Sequence, residues 1–174
     1  MRRIGLILIV LAAALAPVGA YAAKSAPGGG TLSLEGVDGK VIVVARGGII
    51  GRVDRGVVTI RDLTPNDDSD PAVWGARDLR RSDDGISVYR GLNIRFRVIG
   101  GGFRVTIDGR GIDASVVGIG TASIEGVNGV YSTTGDDCHL DPGSCTAVPA
   151  LRQLIAIGTP RTAKQPPSQV QPQP

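Results

Sequence analysis

Leu92-Asn-Ile-Arg-Phe-Arg-Val-Ile99, Phe103-Arg-Val-Thr-Ile-Asp108, Ile112-Asp-Ala-Ser-Val-Val117 and Thr121-Ala-Ser-Ile-Glu125 alternate apolar and polar residues, with glycines between them. Alternation at period two buries one face of a strand and wets the other. Glycine reaches the positive φ that tight turns require. Four such strands joined this closely predict an antiparallel meander. Extended along the chain, the same pattern predicts one all-β domain over 31–158, with eight to ten short strands in a β-sandwich or flattened barrel. Core candidates are Leu32, Leu34, Val41, Val43, Val53, Val58, Ile60, Val88, Leu92, Ile94, Phe96, Val98, Phe103, Val105, Ile107, Ile112, Ala114, Val116 and Ile124.

The glycines themselves carry a rival reading. Gly91, Gly100, Gly109 and Gly118 recur at spacing nine, as do Gly102, Gly111, Gly120 and Gly129. A calcium-binding β-roll has nine-residue units with an aspartate at the sixth position. Counting from Gly100 and Gly109, that position holds Val105 and Ala114. A six-residue strand with a three-residue turn also gives nine and needs no metal. Parallel ladders would mark the solenoid.

Upstream, Asp38-Gly39 lies between alternating runs and reads as a type I′ hairpin turn. Pairing Val37 with Lys40 would set Leu34 opposite Val43 and Leu32 opposite Ala45. A near copy follows 90 residues later: Thr31-Leu-Ser-Leu-Glu-Gly-Val-Asp-Gly39 matches Thr121-Ala-Ser-Ile-Glu-Gly-Val-Asn-Gly129 at six of nine positions. Convergent hairpins and two duplicated halves both account for the match.

Between the strand-rich halves, 63–85 reads as a long crossover loop holding the only tryptophan, Trp74. A short helix from Asp70-Pro71 through Arg81 is the alternative, with poor apolar spacing against it. Asp67, Asp68 and Asp70 are weak candidates for a hard-oxygen calcium site. Solvent and the nearby Arg77, Arg80 and Arg81 can relieve their repulsion without an ion, so no metal and no cofactor is expected.

The first 22 residues have the layout of a cleaved secretory signal: Arg2 and Arg3, an apolar run over Ile4–Ala16, then Ala20-Tyr21-Ala22 as a small-x-small site. A spacer over 23–30 and a Pro- and Gln-rich tail over 159–174 would flank the domain, the tail too polar to build a core. Export makes Cys138 and Cys145, with six residues between them, a disulfide-closed loop. No later apolar run is long enough to span a bilayer. Of the 19 basic residues, Arg2, Arg3, Lys24, Arg161 and Lys164 lie in the ends, leaving 14 against 16 acidic residues in the body, a net of −2. The basic excess belongs to the flanks. With only six aromatics, a nucleic-acid platform is disfavoured.

Catalytic chemistry is sparse. His139, the only histidine, sits inside the cysteine-closed loop and suits a surface position better than a general base. Carboxylate pairs for glycoside cleavage can be drawn from Asp62, Asp108, Asp113 and Glu125, as from any β-rich domain. A Gly100-Gly101 turn would place Arg97 opposite Arg104 with Arg95 alongside, a candidate anion patch unless Asp108, Asp113 and Glu125 compensate it. The expectation is therefore a secreted or cell-envelope module, non-enzymatic, binding an envelope polymer or another envelope protein, or structural. The alternative is a secreted hydrolase that acts on cell-wall or glycan substrates through carboxylates.

Overall fold

The computed structural model describes residues 28–65, 71–82, 84–138 and 140–159. These are almost wholly antiparallel β: β1 (Gly30–Asp62), β2 (Ala72–Arg81), β3 (Ile86–Ser132), β4 (Thr146–Ala147) and β5 (Gln153–Ile157), with one short 3₁₀ turn at Pro142–Ser144. The solenoid's parallel ladders do not occur among them.

β1 has 33 residues and β3 has 47, against roughly 5–6 in an ordinary strand. The two pair with each other twice. Val41 faces Ile107 on one side and Ile124 on the other, while Ile107 also faces Val58. One line across the ladders passes Gln153, Ile124, Val41, Ile107, Val58, Tyr89 and Leu79. That line crosses β1 at both 41 and 58, a difference of 17 residues. The β1–β3 ribbon is thus wound on itself, and each turn hydrogen-bonds to the next. The single sheet folds into two facing layers, the winding of a jelly-roll sandwich.

The first layer holds β1 at 31–38 and 48–54, β3 at 92–99 and 111–118, and the start of β2. The second holds β1 at 39–46 and 56–62, β3 at 86–91, 102–109 and 119–126, and β5. Leu32, Leu34, Ile49, Val53, Ile94, Phe96 and Val116 from the first pack in one cluster with Val41, Val43, Val58, Ile60, Phe103, Val105 and Ile107 from the second.

The nine-residue glycine spacing marks the bends between layers. Gly126, Gly39, Gly109, Gly56 and Gly91 lie in one line across the ladders, and Gly30, Gly118 and Gly47 in another. Neighbouring backbones press together there. A Cβ on Gly56 would lie 2.8 Å from Gly109 Cα, and one on Gly47 would lie 2.8 Å from Gly118 Cα. At two points along β3 an extra residue slips the inward set by one. Gly100 and Gly101 stand against the single Gly47, and Arg110 and Gly111 against Asp38, as β-bulges. Buried Ile94, Phe96 and Val98 thereby give way to Phe103, Val105 and Ile107, then to Ile112, Ala114 and Val116.

Several local expectations change with this winding. The chain does not reverse at Asp38-Gly39, and neither residue takes the positive φ of a type I′ turn. Leu34 lies between Ala114 and Tyr131, and Val43 between Val105 and Ala122. The near copies 31–39 and 121–129 meet only at their ends, with Gly39 opposite Gly126 and Asp38 opposite Asn128. The 63–85 segment is no plain loop or helix, because β2 runs antiparallel to β3 from Ala72↔Arg97 to Arg81↔Ser87. Its helical alternative fails because the ladder satisfies the backbone instead. Residues 153–157 form an edge strand, β5, which pairs with residues 120–124 of β3. Val88 and Leu92 are half-buried, and Tyr89 takes the core position opposite Val58. The signal, most of the spacer and nearly all of the tail fall outside the described residues.

Candidate functional site

A groove of about 830 Å³ opens on the outer face of the first layer. One row of cross-strand neighbours forms it: Trp74 beside Arg95, Arg95 beside Arg52, and Arg52 beside Asp113. Four separate stretches of chain meet in that row, and the winding alone brings them together. The adjacent row adds Arg97, Ile50, Ser115 and Ser33. Outward residues two apart on a strand lie ~6.6 Å from one another, and adjacent strands ~4.8 Å apart. The floor lies over Gly51, where a Cβ would run into the Phe96 ring.

Arg52 Nε donates to Asp113 Oδ2 at 2.6 Å, and the Gly36 backbone N–H donates to Asp113 Oδ1 at 2.7 Å. The bond to Asp113, and then its charge, raise the Arg52 pKa above its ordinary value. Both Asp113 oxygens are held, which suits a fixed acceptor. Arg95 and Arg97 have no ion-pair partner among the described residues.

Trp74 is aimed by a bulge. The β2–β3 register steps from Trp74↔Arg95 to Ala76↔Gly91, leaving Gly75 out of pair at φ +79°. A side chain at Gly75 would run into the Asn93 carbonyl. Asn93, φ +53°, is the only non-glycine with positive φ among the described residues. Val73 and Ala76 pack against the core on either side of the bulge, so Trp74 points outward. It is 56% exposed, and Ile50 is 57% exposed. Both stand open beside the Arg95 and Arg97 side chains that line the same groove.

The groove rim is tied to the disulfide loop. Cys138 and Cys145 are bonded, with Cα atoms 5.8 Å apart. The Cys138 backbone N–H donates to Glu35 Oε1 at 3.0 Å, and Glu35 lines the groove. Ser132, Thr134 and Asp136 close the approach to the loop through a hydroxyl–carboxylate chain.

The arginine trio from the sequence divides between the layers. Arg95 and Arg97 line the groove, but Arg104 is flanked by Val44 and Arg61 on the outer face of the second layer. The bulge at Gly100-Gly101 bends β3 rather than reversing it, so Arg97 and Arg104 never face each other. The carboxylates divide as well. Asp113 belongs to the groove, whereas Asp108 and Glu125 flank Lys40 on the second layer. Asp62 accepts from the Thr64 backbone N–H at 2.7 Å. They do not converge on one site. Asp67, Asp68, Asp70 and His139 lie outside the described residues, and no group of three His, Cys, Asp or Glu among the described residues is placed to hold a metal. No described helix is long and apolar enough to cross a membrane.

Sequence reasoning did not assemble this groove. Arg52 and Glu35 carried no signal. Trp74 stood out only as the sole tryptophan, in a segment without periodicity. No family model, curated protein or solved structure matches the chain.

Proposed function

We propose that this protein is an exported, non-catalytic binding domain of the cell envelope or extracellular space, and that the Trp74 groove is its binding face. The observation that carries this reading is the row Trp74–Arg95–Arg52–Asp113. It sets an exposed aromatic ring, the Arg95 guanidinium with no ion-pair partner among the described residues, and a carboxylate fixed by Arg52 on one sheet. Sites on sheet strands hold their side chains more precisely than sites on loops. The Cys138–Cys145 bond suits an oxidising compartment. Asp113 is engaged by Arg52 and Gly36, which suits orientation of a ligand better than proton transfer.

Capture on purified wall material, with a turnover assay on the same material, tests the proposal. The protein should be retained without releasing soluble fragments, and Trp74→Ala should abolish retention. Turnover lost on changing Asp113 would replace this reading with the hydrolase. Retention indifferent to Trp74 would remove the groove from it.

A further inference from the structure

We infer that the groove takes a linear acidic polysaccharide, with a sugar ring stacked on Trp74 and its carboxylates held by Arg95 and Arg97; this rests on the groove being the binding face. The two arginines project from one strand at alternate positions, ~6.6 Å apart, and no described residue neutralises them. Guanidinium forks match carboxylates in geometry and charge. Trp74 stands one strand away from Arg95, so one extended ligand can touch ring and cations together. The groove runs open along the face instead of closing into a pocket, which suits a chain passing through.

The remaining groups select among anionic polymers. Asp113, bonded to Arg52 at 2.6 Å, would repel a densely charged polyanion but can accept from a sugar hydroxyl. A mixture of fixed acceptor and free donors fits a ligand that carries hydroxyls between its carboxylates. A single-stranded nucleic acid calls for several stacking rings along a basic track, and the groove offers one ring. An acidic peptide would want either an open strand edge or an enclosed pocket for an anchoring side chain. The open edge beside the groove is that of β2, one strand from Arg95 and two from Arg52, which lie on strands paired on both sides. A peptide added there would lie beside the cations and not over them, and Trp74 is exposed, so no enclosed pocket is offered either.

The sole tryptophan of the chain sits in the site, so its fluorescence reports on this groove alone. The full-length protein is titrated with polygalacturonate, neutral dextran and polyglutamate at low and high salt. Affinity electrophoresis reads the variants, including Trp74→Ala. Polygalacturonate should shift the emission to the blue, and high salt should weaken the effect. Arg95→Ala and Arg97→Ala should each cost about tenfold or more in affinity, and Trp74→Ala a similar factor. Arg104→Ala, on the other layer, should cost nothing and serves as the charge-matched control. Dextran binding that needs Trp74 but ignores both arginines would overturn the acidic ligand and leave the groove standing. An equal response to polyglutamate would overturn it in favour of an acidic peptide. Silence of all three probes would overturn it too, and retention on wall material then decides whether the groove reading falls with it.

Discussion

The side-chain amide of Asn128 donates to Asp38 Oδ2 at 3.1 Å, and these residues occupy equivalent positions in the two near-identical stretches of the chain. The other Asp38 oxygen accepts from the Gly111 N–H at 2.9 Å, so one carboxylate satisfies a backbone donor in a bulge of β3 and pins the neighbouring copy. Two aspartates at this point would repel each other. Asn128→Asp should therefore lower Tm by a few degrees at neutral pH, with the deficit shrinking as acid protonates one of the pair. Melts that coincide at neutral pH would show that the contact contributes nothing.

Asp38 also gives the fold an acid limb. The Gly111 N–H, then the Asn128 amide, hold its carboxyl below its ordinary 3.8. The unfolded chain takes up that proton first, so the stabilisation is present above pH 3.8 and fades as pH falls towards the lowered folded value. Asp38→Asn should have a flatter stability profile across that range. An unchanged acid slope would assign the effect to other carboxylates.

Asp38 also shows how far the sequence could be read. Alternation made the core legible: Phe96, Val105 and Ile112 are buried as the pattern requires. Pairing was not legible, because Asp-Gly looks alike whether it turns a hairpin or feeds a bend with a side-chain acceptor. Tertiary winding decided for the bend. The one-residue slip that buries Tyr89 and leaves Val88 half-buried falls between Tyr89 and Ile94, the stretch that holds Asn93 at φ +53°. The groove was least legible, since β2 is an edge strand whose alternation Gly75 interrupts. Of its cations, Arg95 and Arg97 were singled out for the wrong neighbour, Arg104.

The bend glycines supply a sharper stability test. Gly56→Ala forces a methyl group against Gly109 Cα and should cost about 3 kcal/mol. Gly48 belongs to the same strand, yet a Cβ there would meet nothing closer than 3.6 Å. Gly48→Ala should be nearly neutral. Urea melts of the pair read the contrast, and equal losses would mean that the backbones do not approach at Gly56.

The disulfide loop should matter to both stability and the groove. Replacing Cys138 and Cys145 with serine should cost about 2–3 kcal/mol. It should also loosen Glu35, which accepts from the Cys138 N–H. Thiol labelling of the native protein should need prior reduction. Two thiols reactive without reductant would refute the bond.

Most direct of all is a test of whether one row assembles from four separated stretches of chain. Nuclear Overhauser contacts between backbone protons across the ladders should link Trp74 with Arg95, Arg95 with Arg52, and Arg52 with Asp113, giving the order found across β2, β3, β1 and β3. Contacts joining Arg97 to Arg104 across Gly100-Gly101, with Arg52 remote from Arg95, would contradict the winding and dissolve the groove with it.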